Sequence, residues 1–392
     1  MSDPNGNKQG GVVSTRVRDA TFDIVKGISI LEVMLHHLLS FSASRFSRVG
    51  SSVWWAMMMA HKVLHFAVPT FLLLSALLLA KSLHRTEQPD WKRFFKRRAE
   101  RSLLPYLLWT AIYLGFRLRF VHVLREVQGV NLSLAGRTIT VPALLLDSTE
   151  WRAILLWGKA WFHLYFLSVL LQFSLLTTLL FSIFKRTQVS FGVVVTVSAL
   201  LQLFMFWLIA TVLYPLLHFT TPASSVLWYI CPTLIGTWLG FHWEEWSDAW
   251  CRTWVQIMLV CAVGLVTYIW LDLIESRGGA VNSYIYNSAL TAYTTSMALI
   301  LLRCGQKLGG GSTGNVLQRI GNWSLPLFLI HPMMLYFTGS PRIHALLVYI
   351  PFPLIVTGVI MFCATWGLTW LIMSMRLDKL LFGRKLTSAN GD

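Results

Sequence analysis

The sequence predicts an all-α protein, a polytopic transmembrane helical bundle of about ten helices with both termini cytoplasmic. Three observations carry that expectation. The chain of 392 residues is 55% hydrophobic and only 13% charged, about half the charged share of a soluble domain. Its apolar runs have the length of about 20 residues that crosses a hydrocarbon core as a helix, and none shows the ten-residue alternation of barrel strands. Its basic residues are divided unevenly between alternate loops, as the positive-inside rule requires.

The elements follow in order. The opening MSDPNGNKQGGVVST is polar and glycine-rich, so residues 1–15 are expected to be a disordered cytoplasmic tail without a cleavable signal. A transmembrane domain is expected over 16–373. Its spans fall near 22–41, 54–80, 102–121, 162–184, 190–213, 226–243, 253–272, 283–302, 323–338 and 344–373. The ninth is short and holds Pro326 and Pro332, which predicts bending, tilting or shielding by neighbours. Residues 374–392 are expected to be a cytoplasmic C-terminal tail.

With the N-terminus inside, 21 of the 33 Lys and Arg fall on the cytoplasmic side, 10 on or beside the outer side, and Lys26 and Lys62 within spans. An odd number of spans would carry a basic terminus outside. The net charge of +16 is therefore assigned to topology and anionic lipid, with no nucleic acid as a partner. The segment 81–101, KSLHRTEQPDWKRFFKRRAER, carries eight of these cations and belongs inside. The longest connection, 122–161, belongs outside and contains Trp151, Trp157 and Trp161, a composition that suits either stacking on sugar rings or an interfacial aromatic belt. GGGSTGN, 309–315, reads as a flexible linker. The five cysteines lack CxxC or CxxxC spacing, so neither a metal site nor a disulfide framework is expected. No internal repeat is visible.

Ionisable groups inside apolar spans are costly and invite a functional reading. The first span contains KGISILEVMLHH, Lys26 to His37. Eleven residues are about three turns, so Lys26 and His37 share a face roughly 16 Å apart along the axis, and could line one shaft. His36 points about 100° away, which assigns it to packing. Asp23 stands three residues before Lys26, where an ion pair is possible. His37 is the candidate general base, since imidazole titrates near neutrality. His65, His163 and His331 are further titratable groups in apolar surroundings, each open to a substrate role or to an interhelical hydrogen bond. Glu32 is expected to pair with one of them. Arg98 and Arg101, an i,i+3 pair, can present two guanidinium forks to one anion.

RDATFDIVKGISILEVMLHH resembles the opening of the acyltransferase 3 family of membrane acyltransferases, where a basic residue, ten residues and a histidine follow one another. Lys26 and His37 match that spacing, with Lys in place of the commoner Arg. HFAVPTFLLLSALLLA, FKRRAERSLLP, WFHLYFLSVLLQFSLL and NWSLPLFLIHPMML resemble later motifs of the family in the same order. The pattern departs where Leu72 follows Phe71 and Ala76 follows Ser75, positions that usually hold Phe and Gly. The resemblance implies transfer of an acyl group, acetyl first, from cytoplasmic acetyl-CoA to a hydroxyl of a cell-envelope or extracellular glycan in the bacterial inner membrane.

On that resemblance His37 would be catalytic, Lys26, Arg98 and Arg101 would hold the CoA donor, and His163, Trp161, Trp151 and His331 would meet the acceptor sugar. Membrane lipids and polysaccharide synthase components are the implied partners. No hydrolase-like extension is seen after the last span, so transfer would be completed in the membrane part or by a partner. Two other readings remain open: a transporter or flippase of glycans, using the same groups as a path, and a non-catalytic synthase subunit.

Overall fold

The computed structural model describes residues 20–86, 89–120, 129–134, 137–142, 147–186, 188–217 and 221–386. The expected tail 1–15 lies outside them. The helices run α1 (Ala20–Phe46), α2 (Ser52–Val63), α3 (Ala67–His84), α4 (Trp91–Arg98) and α5 (Leu104–Phe120), followed by strands β1 (Gly129–Leu134) and β2 (Arg137–Pro142). Then come α6 (Ser148–Trp157), α7 (Tyr165–Phe184), α8 (Phe191–Leu208), α9 (Tyr214–Leu217), α10 (Ile230–Phe241), α11 (Trp246–Ser276) and α12 (Ser283–Leu308). The chain closes with α13 (Ser312–Asn322), α14 (Ser324–Thr338), α15 (Pro341–Leu347), α16 (Pro353–Ser374) and α17 (Asp378–Phe382). The two strands form an antiparallel hairpin, from Gly129 opposite Pro142 to Leu134 opposite Arg137, an addition to the all-α bundle inside the long connection.

Among the described residues, seven helical stretches are long and apolar enough to cross a membrane. The other three expected spans correspond to α5, α10 and α14, with 17, 12 and 15 residues. Large apolar side chains face outward on the long helices, among them Leu200, Val263, Val266 and Trp370, each more than 60% exposed. Such belts are lipid-facing surface. The protein is an integral membrane helical bundle.

Three boundaries differ from the sequence reading, each because of proline or glycine. The span expected at 54–80 breaks at residues 64–66 into α2 and α3. Pro69 has no N–H for the His65 carbonyl and its ring excludes that carbonyl from a helical position, so the helix must restart. The last span begins at Pro353, not near 344, after Phe352 takes φ 59° between Pro351 and Pro353. GGGSTGN is a linker only in its first half, since Ser312 already starts α13 and Gly314 is buried against α12.

The Ala76 departure leaves α3 tightly packed all the same. The close approach is supplied by the facing helix, where a Cβ on Gly236 or Gly240 of α10 would collide with the Leu73 or Leu77 carbonyl. At one end of the bundle, α17 returns to α5: Trp109 donates its indole N–H to the Leu381 carbonyl at 2.9 Å, and Phe382 is buried. Part of the expected C-terminal tail is thus a packed helix.

Candidate active site

The break between α2 and α3 leaves backbone groups to satisfy, and side chains from other helices do it. Tyr293 donates to the Val63 carbonyl at 2.5 Å. Phe66, the residue before α3, supplies no capping side chain. Instead Glu32 of α1 turns its carboxyl to the Phe66 and Ala67 amides, where a helix N-terminus favours an anion. This corrects the expectation that Glu32 pairs with a histidine: free amides at a helix start are the better partners.

A cavity of about 410 Å³ lies beside this break, within the size of ordinary ligand sites. Its wall includes Glu32, His36, His37, His65, His163 and Phe328, with tyrosine, threonine and asparagine side chains from α11 and α12 opposite. His37 and His163 therefore reach the same space. His331 stands behind them, fully buried, its ring 5.5 Å from His37 and 6.1 Å from His163 between centroids. Its Nδ1 lies 2.9 Å from the Leu327 carbonyl. A carbonyl only accepts, so the neutral ring carries its proton on Nδ1 and keeps the Nε2 lone pair. Among the described residues, neither nitrogen of buried His163 has a hydrogen-bond partner, nor has Nε2 of His331. Buried polar atoms left in this way are unusual and suit a ligand that brings hydroxyls.

Tyr113 of α5 holds this wall in place, a role sequence reasoning missed. Its hydroxyl donates to the Leu329 carbonyl at 2.6 Å and faces the Met333 amide, so it wedges into the α14 ladder beside Pro332. Pro332 has no N–H for the Phe328 carbonyl, and the hydroxyl adds a donor to the next carbonyl along, that of Leu329. The Tyr113 ring also packs against His163 at 4.9 Å and stacks on Trp161 at 5.3 Å. Trp161 is thus a buttress behind His163, outside the cavity wall. Trp151 packs half-buried on α6 and does not join the cavity.

The predicted donor residues lie elsewhere. Lys26 forms its expected ion pair with Asp23 at 3.1 Å and does not line the cavity with His37. The Asp23 end of α1 packs so closely on α13 that a Cβ on Gly321 would strike the Asp23 carbonyl. Next along α13, the Asn322 carbonyl accepts from Arg384 at 2.5 Å, and neighbouring Gly383 abuts the Arg101 backbone. Arg98 stacks its guanidinium over Phe94 at 5.7 Å. Burial and the Arg101 charge lower its pKa from the ordinary arginine value. A chain of contacts therefore gathers Lys26, Arg98, Arg101 and Arg384 at one end of the bundle. Arg384 carried no motif and was not predicted.

Residues 19–374 match the acyltransferase domain family, acyltransferase 3. The chain belongs to that family. The chain is also similar to the nodulation protein NolL of Sinorhizobium fredii strain NBRC 101917 / NGR234, 34% identical over 95 residues. That stretch covers 24% of this chain and 24% of the relative, so the chain spans about a quarter of NolL's length in the match. No solved structure matches the chain.

Proposed function

We propose that this acyltransferase moves an acyl group, acetyl first, from cytoplasmic acyl-CoA to a hydroxyl of a cell-envelope or extracellular glycan in a bacterial inner membrane. The observation that carries the reading is the shared cavity of His37 and His163, set about three turns of α1 away from the cationic end at Lys26. The nucleotide phosphates of CoA suit Arg98, Arg101 and Arg384, whose forks bind phosphate oxygens with charge-assisted hydrogen bonds. The phosphopantetheine arm is long enough to carry the thioester toward His37.

In the transfer, His37 takes the acceptor hydroxyl proton while the oxygen attacks the thioester carbonyl. The C–O bond forms, the C–S bond breaks, and the proton returns from His37 to the departing sulfur, giving an ester and free CoA. His163, with both nitrogens open, holds the acceptor hydroxyls, and His331 buttresses His37. Membership of an acyltransferase family favours this over a glycan transporter or a non-catalytic synthase subunit.

The test is radiolabelled acetyl transfer from acetyl-CoA to candidate glycans by purified protein. His37→Ala is expected to lower turnover by roughly 10²–10⁴-fold, the usual contribution of a general base, with CoA binding retained. Turnover near the parent value in equal amounts of folded variant refutes the assignment.

A further inference from the structure

We propose that His36, His61 and His65 form a binding site for a divalent transition metal, zinc first, fastening α1 to the break between α2 and α3. Among the described residues, this is the group of three such side chains whose ligand atoms all lie within 4.8 Å of one another. The ring centroids are 3.8 Å apart for His36 and His61, 4.5 Å for His36 and His65, and 5.3 Å for His61 and His65. Zinc bonds to nitrogen of about 2.0–2.1 Å at tetrahedral angles bring ring nitrogens to roughly 3.4 Å. Binding would turn the three rings to close that difference.

The outer hydrogen bonds are of the kind that metal-binding imidazoles use. His36 and His61 exchange contacts: Nδ1 of His36 faces the His61 carbonyl at 3.1 Å, and Nδ1 of His61 faces the His36 carbonyl at 3.0 Å. Nδ1 of His65 faces the His61 carbonyl as well, at 3.3 Å, and the His36 ring also has the Leu64 carbonyl beside it. An Nδ1–H donated to a carbonyl fixes the tautomer that leaves Nε2 as a ligand, and raises its basicity. Three neutral imidazoles without thiolate or carboxylate are a known zinc donor set that leaves a fourth position open.

The surrounding charges permit a cation. Lys62, next to His61, is tied to Asp272 at 2.6 Å, and Tyr286 donates to the same carboxylate oxygen at 3.2 Å. The pair offsets the ammonium charge, and Glu32 adds a carboxyl on the cavity wall. His36 and His65 line that wall while His61 does not, so a bound metal would border the cavity. The placement accounts for two features that packing alone leaves unexplained: three histidines converge where an apolar core would suit, and two of them stand four residues apart on the last turn of α2 and its continuation.

The experiment uses full-length protein purified without a polyhistidine tag, exposed to zinc, gel-filtered and analysed for metal by mass spectrometry. About one zinc per chain is expected, with affinity lowered by more than about 100-fold in His61→Gln and His65→Gln, beyond the loss typical of outer partners. His84→Gln and His242→Gln, outside the cluster, are expected to keep the parent affinity. Cobalt substitution should give the visible absorption of a tetrahedral nitrogen-ligated ion. The proposal is overturned if monodisperse parent protein holds less than about a tenth of an equivalent, or if the His61→Gln/His65→Gln double variant keeps its metal. Where the variants do not purify as a single species, absence of the tetrahedral cobalt spectrum in the parent overturns it. Metal content is read without acyl transfer, so either proposal can fail alone.

Discussion

Replacing Lys62 by Met tests whether the ion pair that ties α2 to α11 is a true buried pair. The side chains are 22% and 5% exposed, and the contact is 2.6 Å. Removing the ammonium leaves the Asp272 carboxylate to the Tyr286 hydroxyl, a neutral donor at 3.2 Å. Leaving one member of a buried pair uncompensated costs roughly 3–5 kcal/mol, whereas replacing both by apolar residues is often neutral. The remaining Tyr286 bond, worth about 1.5–3 kcal/mol for a charged acceptor, places the expected loss near the lower end. The assay heats detergent-solubilised protein and measures the monodisperse fraction by size exclusion, comparing Lys62→Met with Lys62→Met/Asp272→Leu. The single variant should melt lowest and the double should recover most of the loss. A double variant no more stable than the single refutes the buried-pair reasoning, because removal of the orphaned charge would then have brought no relief.

Arg98→Ala and Arg101→Ala should each weaken acyl-CoA binding in calorimetry by the equivalent of about 1.5–3 kcal/mol, with Lys restoring only part because it lacks the fork; unchanged affinity in the double variant would return the loop to a purely topological role. Tyr113→Phe should lower acyl transfer about tenfold, equivalent to 1.4 kcal/mol, by freeing the Leu329 carbonyl behind His331, and parent-level turnover would count against the wedge. For orientation, a cysteine introduced at Ser148 should react with an impermeant reagent from outside while one at Lys92 should not, in a background lacking exposed Cys251, Cys304 and Cys363; the reverse pattern would invert the topology.

Much of this protein is written locally. Length and hydropathy fix a membrane helix for seven of the runs, because every backbone polar group must be satisfied within its own segment in lipid. Helices accordingly occupy all ten expected positions, and the Asp23–Lys26 pair and the Lys26-to-His37 spacing follow from helical geometry alone. The motifs of the family are likewise local strings, so membership was legible before any contact was known.

Contacts between segments were decided only by tertiary packing. His61 and His65 are four residues apart, HKVLH, and that spacing could have marked them as a pair. Nothing in the string says that α1 delivers His36 to them across 25 residues. Glu32 looked like a partner for histidine until the helix break put free amides before it, and that break depends on Pro69 denying a bond to His65. Tyr113 reads as an ordinary aromatic in an apolar helix, and its hydroxyl matters only because packing sets it against the Leu329 carbonyl of α14. Arg384 gains its place because Gly383 lets the chain close on Arg101. Periodicity records which face a residue takes on its own helix. Which other helix that face meets depends on glycine contacts and proline bends acting over hundreds of residues, and those relations exist only in the folded bundle.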